Sequence, residues 1–260
     1  MKLRIALLQM DCSELDVAAN RECVRAAVRT ARANGAQALA LPELWASGYA
    51  LEAACHRGAW EQDFALVREL SRDGFALLGG SLLERDAAGR HSNCALASVD
   101  GIERMRFRKL HLFGPLAEVR YLTRGPALPE IFDFVGVRTA MAICYDLRFA
   151  EVFRQLALGG VELIHVPAQW PKPRIHHWRV LLQARAIECQ AYLLGVNRVG
   201  HFGDIEFPGG SLLVGPWGDI VVDAGDKAGI YYGDIETDKV AEARARLPFL
   251  NDRRRDLFAN

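Results

Sequence analysis

The stretch Arg138–Val166, RTAMAICYDLRFAEVFRQLALGGVELIHV, decides how the rest of the chain is read. Arg138–Ile143 is a short apolar run of strand type, Ala150–Leu158 has helical composition, and Glu162–Val166 is again strand-like. Cys144 stands where the first strand ends and the approach to the helix begins. The same alternation runs outward in both directions. Upstream, strands are expected at Arg4–Met10, Gln37–Pro42, Phe75–Glu84, His91–Val99, Glu103–Leu110 and Ile131–Phe134. One helix is expected after an Asp16 cap, with Val24, Ala27, Val28 and Ala31 at helical spacing and a stop at Asn34-Gly35. Another covers Trp60–Arg72. Downstream, a helix over His176–Gln190 places Trp178, Leu181, Leu182, Ala186 and Cys189 on one side. Strands near Tyr192–Val196, Ser211–Val214, Ile220–Asp223 and Ile230–Ile235 precede a short helix at Lys239–Arg246. About a dozen strands are too many for one open sheet, so an α/β domain of two packed sheets flanked by helices is expected over residues 1–260.

Composition narrows the function classes. Of 260 residues, 51% are hydrophobic, which supports a large core. Lys plus Arg and Asp plus Glu are 32 each, so no net field favours nucleic acid or an anionic membrane as partner. A neutral surface suits self-association. The apolar N-terminal run is too short for a signal peptide, and no stretch has the length of a membrane span. Six dispersed cysteines show neither C-x-x-C nor finger spacing, which fits reduced thiols in a cytoplasmic protein, with no metal and no cofactor expected. The tail Asn251–Phe258 is too short to bind nucleic acid and is expected at a subunit contact or in solvent.

Three side chains have chemical potential, each with a plain structural alternative. Cys144 at a strand-to-helix elbow can face a cleft in which backbone N–H groups stabilise an oxyanion; it can equally be a small buried apolar residue. Glu43 ends the buried run Leu39-Ala40-Leu41-Pro42, where desolvation raises a carboxyl pKa and makes a competent base; it can also be an ordinary strand-end acid. Lys109 lies where cationic residues run into an apolar turn, a position that also suits a surface lysine. His165, His176 and His177 lack a spacing that pairs one of them with the cysteine. The His176-His177 doublet reads as a solvated helix start.

The strings Leu41-Pro42-Glu43, Arg108–Gly114 (RKLHLFG) and Ile143–Phe149 (ICYDLRF), in that order, resemble the catalytic motifs of the nitrilase (carbon–nitrogen hydrolase) superfamily. Gln9, Gly79-Gly80-Ser81, Gln183–Glu188, Gly209-Gly210-Ser211 and Pro216-Trp217-Gly218 extend the resemblance over nearly the whole chain. It implies a four-layer α-β-β-α sandwich, usually a homodimer. It implies Glu43 as general base, Lys109 and the Tyr145 backbone N–H as oxyanion donors, and Cys144 as the nucleophile that forms a thioester. A second glutamate, Glu118, would support the lysine. The motif around Cys144, with Gln169-Trp170-Pro171 and His177-Trp178, is similar to the omega-amidase branch, which cleaves the terminal amide of 2-oxo dicarboxylic monoamides such as 2-oxoglutaramate and 2-oxosuccinamate. The partners expected are that small amide and water. Arg148 is the first candidate for the substrate carboxylate, unless it serves to neutralise Asp146. Trp170, His111, Phe113 and Arg174 are candidates for the cleft wall. An N-carbamoyl amino-acid amidohydrolase would use the same three residues, and a silent scaffold would be expected to lack one of them.

Overall fold

A computed structural model describes residues 1–14, 16–58, 60–254 and 256–257. The chain opens with β1 (Lys2–Gln9), then α1 (Val17–Ala33), whose cap is Asp16: its carboxylate accepts from the Ala19 N–H at 3.1 Å. There follow β2 (Ala38–Ala40), α2 (Leu51–His56), α3 (Trp60–Leu70), β3 (Ala76–Arg85), β4 (His91–Val99) and β5 (Ile102–Arg108). A one-turn helix α4 (Glu118–Tyr121) leads to β6 (Phe132–Phe134) and β7 (Val137–Met141). The second half contains α5 (Ala150–Leu158), β8 (Leu163–Ala168), α6 (Ile175–Cys189) and β9 (Tyr192–Asn197). It closes with the hairpin β10 (Val199–Phe202) and β11 (Ile205–Pro208), then β12 (Leu212–Val214), β13 (Ile220–Asp223), β14 (Gly229–Glu236) and α7 (Thr237–Arg246).

Two six-stranded sheets result, in the orders β14-β1-β2-β3-β4-β5 and β13-β12-β9-β8-β7-β6. The period of two along β1 explains the layering. Leu3, Ile5 and Leu7 face the second sheet, while Ala6 and Leu8 face Val24, Val28 and Ala31 of α1. The second sheet is covered on its far side by α5 and α6 through Phe153, Leu156, Trp178 and Leu182. The architecture is therefore the four-layer α-β-β-α sandwich. β1 pairs antiparallel with β14, from Lys2↔Glu236 to Gln9↔Gly229, so the two ends of the chain meet in one sheet.

Three elements were not anticipated: α2, α4 and the β10–β11 hairpin. The expected helix at Lys239 starts two residues earlier, and other boundaries shift by at most two residues. In the tail, Arg254 pairs with Asp256 at 2.6 Å and Leu257 is exposed, whereas Arg255 and Phe258 lie outside the described residues. No described helix is long and apolar enough to cross a membrane.

Candidate active site

The strand ends of both sheets converge on one buried cluster. Met105 and Phe107 of β5 point between the sheets, so Lys109, two residues on, points the same way. Its Nζ donates to Glu43 Oε1 and to Glu118 Oε1, both at 2.7 Å, with all three side chains fully buried. Glu43 follows β2 and is seated by β3. There Gly80 takes a positive φ of 63°, and an added Cβ would lie 2.1 Å from the Pro42 carbonyl oxygen. Ser81 N–H donates to that same oxygen at 3.2 Å, and Ser81 Oγ accepts from Leu44 N–H at 3.1 Å. The Gly79-Gly80-Ser81 segment is thus a bulge shaped to hold the Glu43 turn.

Cys144 begins a 3-10 turn that runs to Arg148 and is itself left-handed, with φ of 44°. Leu44, next to Glu43, and Ala117, before Glu118, also have positive φ. A non-glycine residue held there costs about 1–3 kcal/mol, and such strain clusters at functional sites. Asp146 fixes the turn: its carboxylate accepts from Ile143 N–H at 3.1 Å and from His111 N–H at 2.9 Å, and lies 2.8 Å from His111 Nδ1.

The electrostatics favour a neutral thiol beside a base. Burial pushes the Cys144 thiol well above its usual range, Glu43 adds to this, and Lys109 opposes it. Burial also raises the Glu43 carboxyl; Lys109 works against that shift and Glu118 with it, while hydrogen bonds from Lys109 and from the Cys144 thiol favour the ionised form. Burial acts against the Lys109 ammonium, but Glu118 and Glu43 outweigh it and hold the amine charged. A raised carboxyl in contact with a thiol can take its proton, and a fixed ammonium beside both can stabilise the oxyanion that follows.

Four residues complete this cluster, of which Tyr49, Asn93 and Arg198 were missed in the sequence and Gln169 was quoted there only as part of a motif. Tyr49 Oη donates to Glu118 Oε1 at 2.6 Å and lies 3.2 Å from Glu43 Oε1. Asn93 Nδ2 donates to Glu43 Oε1 at 2.8 Å, and Asn93 sits on the inward face of β4 with Ala95 and Ala97. That polar residue in an apolar inward register was the available signal. Gln169 donates its backbone N–H to Glu43 Oε2 at 2.9 Å and its side-chain amide to Glu43 O at 2.8 Å. Arg198, with no exposed surface, donates to Gln169 Oε1 at 2.8 Å and pairs with Asp11 and Glu14 at 2.7 Å each.

A narrow cleft opens at Cys144, with Phe113, Tyr145, Trp170, Pro171, Arg148 and Arg174 around it. Arg148 is not spent on Asp146, which His111 occupies instead. The Arg148 guanidinium lies 4.8 Å from the Trp170 ring centre, and one nitrogen is 3.4 Å from His177 Nδ1. Phe113 and Trp170 reach the cleft as expected, but His111 does not line it; its ring stacks on Phe149 at 3.5 Å. His165 is structural: fully buried, with Nδ1 3.0 Å from Leu194 O and Nε2 3.1 Å from Leu41 O. His176 and His177 are exposed at the start of α6, and Tyr145 N–H follows the thiol in the same turn.

A fold of this kind with a buried Glu–Lys–Glu cluster against a cysteine defines a class, and comparison with known proteins agrees. The carbon-nitrogen hydrolase family model matches residues 4–245, and the chain belongs to that family. It is a cysteine-dependent amidohydrolase. It is 34% identical over 262 residues to the 2-oxoglutaramate amidase of Bacillus subtilis, covering 99% of this chain and 100% of the relative. It is 30% identical to the human omega-amidase, over 98% of this chain and 96% of that protein. Among solved structures, the amidase from Nesterenkonia sp. AN1 in complex with acrylamide superposes with a TM-score of 0.87 at 29% identity, covering 98% of this chain and 95% of that one.

Proposed function

We propose that the protein hydrolyses the terminal amide of a short 2-oxo dicarboxylic monoamide, of the 2-oxoglutaramate or 2-oxosuccinamate type, releasing ammonia. The observation that carries this reading is the cleft itself. It joins Cys144 to an arginine, Arg148, that has no carboxylate partner among the described residues. The names of the Bacillus subtilis and human relatives support the same substrate class.

In this reading Glu43 takes the Cys144 proton as sulfur attacks the amide carbon. The tetrahedral oxyanion is met by Lys109 Nζ and the Tyr145 N–H. Glu43 returns the proton to the leaving nitrogen, ammonia departs, and an acyl thioester remains on Cys144. Glu43 then deprotonates water, which attacks the thioester carbonyl; the free acid leaves and the thiol is restored. Glu118, itself held by Tyr49, keeps Lys109 in place throughout. Arg148 binds the distal carboxylate, with Trp170 and Phe113 as walls.

We also infer that residues 1–260 act as one hydrolase domain, since β1 and β14 join the chain ends in one sheet. The unpaired cysteines suit a reducing cytoplasm. A homodimer is supported by Val180 and Ile187 of α6, Leu158 of α5 and Trp217, which are all apolar and exposed; light scattering tests it.

The experiment for the activity is ammonia release from 2-oxoglutaramate, 2-oxosuccinamate, glutamine, an N-carbamoyl amino acid and an aliphatic nitrile, with wild type and Cys144→Ala. Cys144-dependent turnover of the two oxo-acid amides is expected. Turnover of the carbamoyl compound alone would move the protein to the neighbouring specificity and overturn the reading.

A further inference from the structure

A second guanidinium shares the cleft. Arg174 sits in the turn between β8 and α6, and its side chain lies 5.2 Å from the Phe113 ring centre. Its backbone is anchored, because Trp170 Nε1 donates to Arg174 O at 2.7 Å. The Trp170 ring therefore links the two arginines: one face carries Arg148, and the ring nitrogen fixes the turn that carries Arg174. Among the described residues Arg174 has no ion-pair partner. Arg174 also borders the adjoining groove, which Asp204 and Glu206 line, and Glu206 is held by Lys172 at 2.7 Å. No carboxylate lines the cleft; the acids of the site, Glu43 and Glu118, are buried beneath it and bound to Lys109.

Two guanidiniums, each set against an aromatic ring, border a cleft that no carboxylate lines, and they present donors only. A carboxylate occupies one fork. An adjacent ketone oxygen is a second acceptor in the same plane and suits the other. A 2-ammonio group in that place is a cation and a donor, facing two cations without a counter-charge. From this geometry, and resting on the substrate reading above, we propose that Arg174 is a specificity-determining residue. Together with Arg148 it selects 2-oxo acid amides and rejects the 2-ammonio acids of equal length, glutamine and asparagine.

Two measurements test this. The first compares kcat/KM for 2-oxoglutaramate and glutamine in wild type and Arg174→Gln. The ratio is expected to fall roughly 10- to 100-fold, the span of one charge-assisted hydrogen bond, chiefly through KM for the oxo acid. The second needs no substrate: the rate of Cys144 alkylation by iodoacetate relative to neutral iodoacetamide. Arg174→Gln should lower that ratio, Arg174→Lys should restore it, and added salt should shrink the difference. An unchanged oxo-to-amino ratio, or an alkylation ratio equal to wild type in Arg174→Gln, overturns the role of Arg174. A wild type silent towards 2-oxoglutaramate overturns the substrate reading instead, and the alkylation ratio then decides alone whether Arg174 selects anions.

Discussion

Replacing Asn93 with Leu should separate stability from activity. Asn93 Nδ2 is one of the groups around Glu43 Oε1, with Lys109 Nζ at 2.7 Å and Tyr49 Oη at 3.2 Å. The amide orientation follows from the network, since only nitrogen can donate to a carboxylate. Asn93 Oδ1, by contrast, is buried without a partner. Leucine keeps the branching at Cγ, removes the unpaired oxygen and deletes the donor. Loss of an unsatisfied buried acceptor recovers about 1–3 kcal/mol, and loss of a hydrogen bond to a charged group costs about 1.5–3 kcal/mol, so the two nearly cancel in stability. They do not cancel at Glu43. Its ionised form alone gains from the donor, so the Glu43 pKa, already raised by burial, rises further. At about 1.36 kcal/mol per pH unit, the acid limb of kcat/KM should move up by about one to two units. The assay is the pH profile of ammonia release, with urea unfolding alongside. An acid limb that stays within about 0.3 unit of wild type, in a protein of equal stability, would refute Glu43 as the base that sets that limb.

Removal of the buried cation in Arg198→Met leaves the Gln169 side-chain oxygen without its donor, while water can take up the exposed Asp11 carboxylate and part of Glu14. A loss of about 1–3 kcal/mol in urea unfolding is expected, with kcat falling as Gln169 loosens from Glu43. His165 is pushed down from 6.5 to about 4 by burial, against the two carbonyls that favour its protonation. The folded state therefore resists a proton that the unfolded chain accepts. Stability should be full above pH 6.5 and decline by about 3 kcal/mol as pH falls to about 4, a slope that His165→Gln should flatten in urea titrations. Gly80→Ala should abolish activity and lower stability, because its Cβ meets the Pro42 carbonyl at 2.1 Å at a positive φ; a variant with wild-type turnover would show that the Glu43 turn does not depend on this bulge.

What the sequence made legible was set by local periodicity. β1, α1, β4, α5 and α6 are long enough for a period of two or 3.6 to show, and their boundaries came within two residues. Glu43 and Cys144 were visible because each follows a strand whose apolar run ends abruptly, Lys109 because cationic residues run there into an apolar turn, and the resemblance of the motifs in their order joined them. The remaining elements had little to read. α4 is one turn long, and α2 has no side-chain cap. The β10–β11 hairpin has strands of only four residues and carries Gly200, Gly203, Asp204 and Pro208, so it resembles a loop until its ladder is seen. Tyr49, Gln169 and Arg198 act through distant partners, Tyr49 with Glu118, Gln169 with Glu43 and Arg198 with Asp11 being 69, 126 and 187 residues apart, which composition does not encode. The two roles open to Arg148 could be distinguished only by seeing His111 take Asp146.

Ammonia release by purified Cys144→Ala, beside wild type and with 2-oxoglutaramate as substrate, tests the central claim most directly. In the proposed mechanism the sulfur is the nucleophile, Glu43 the base and Lys109 the ammonium, and the smaller alanine fits the same turn. Turnover should fall to the uncatalysed level while urea unfolding shows an intact fold. Ammonia released by Cys144→Ala at a rate comparable to wild type would contradict catalysis through a thioester on Cys144.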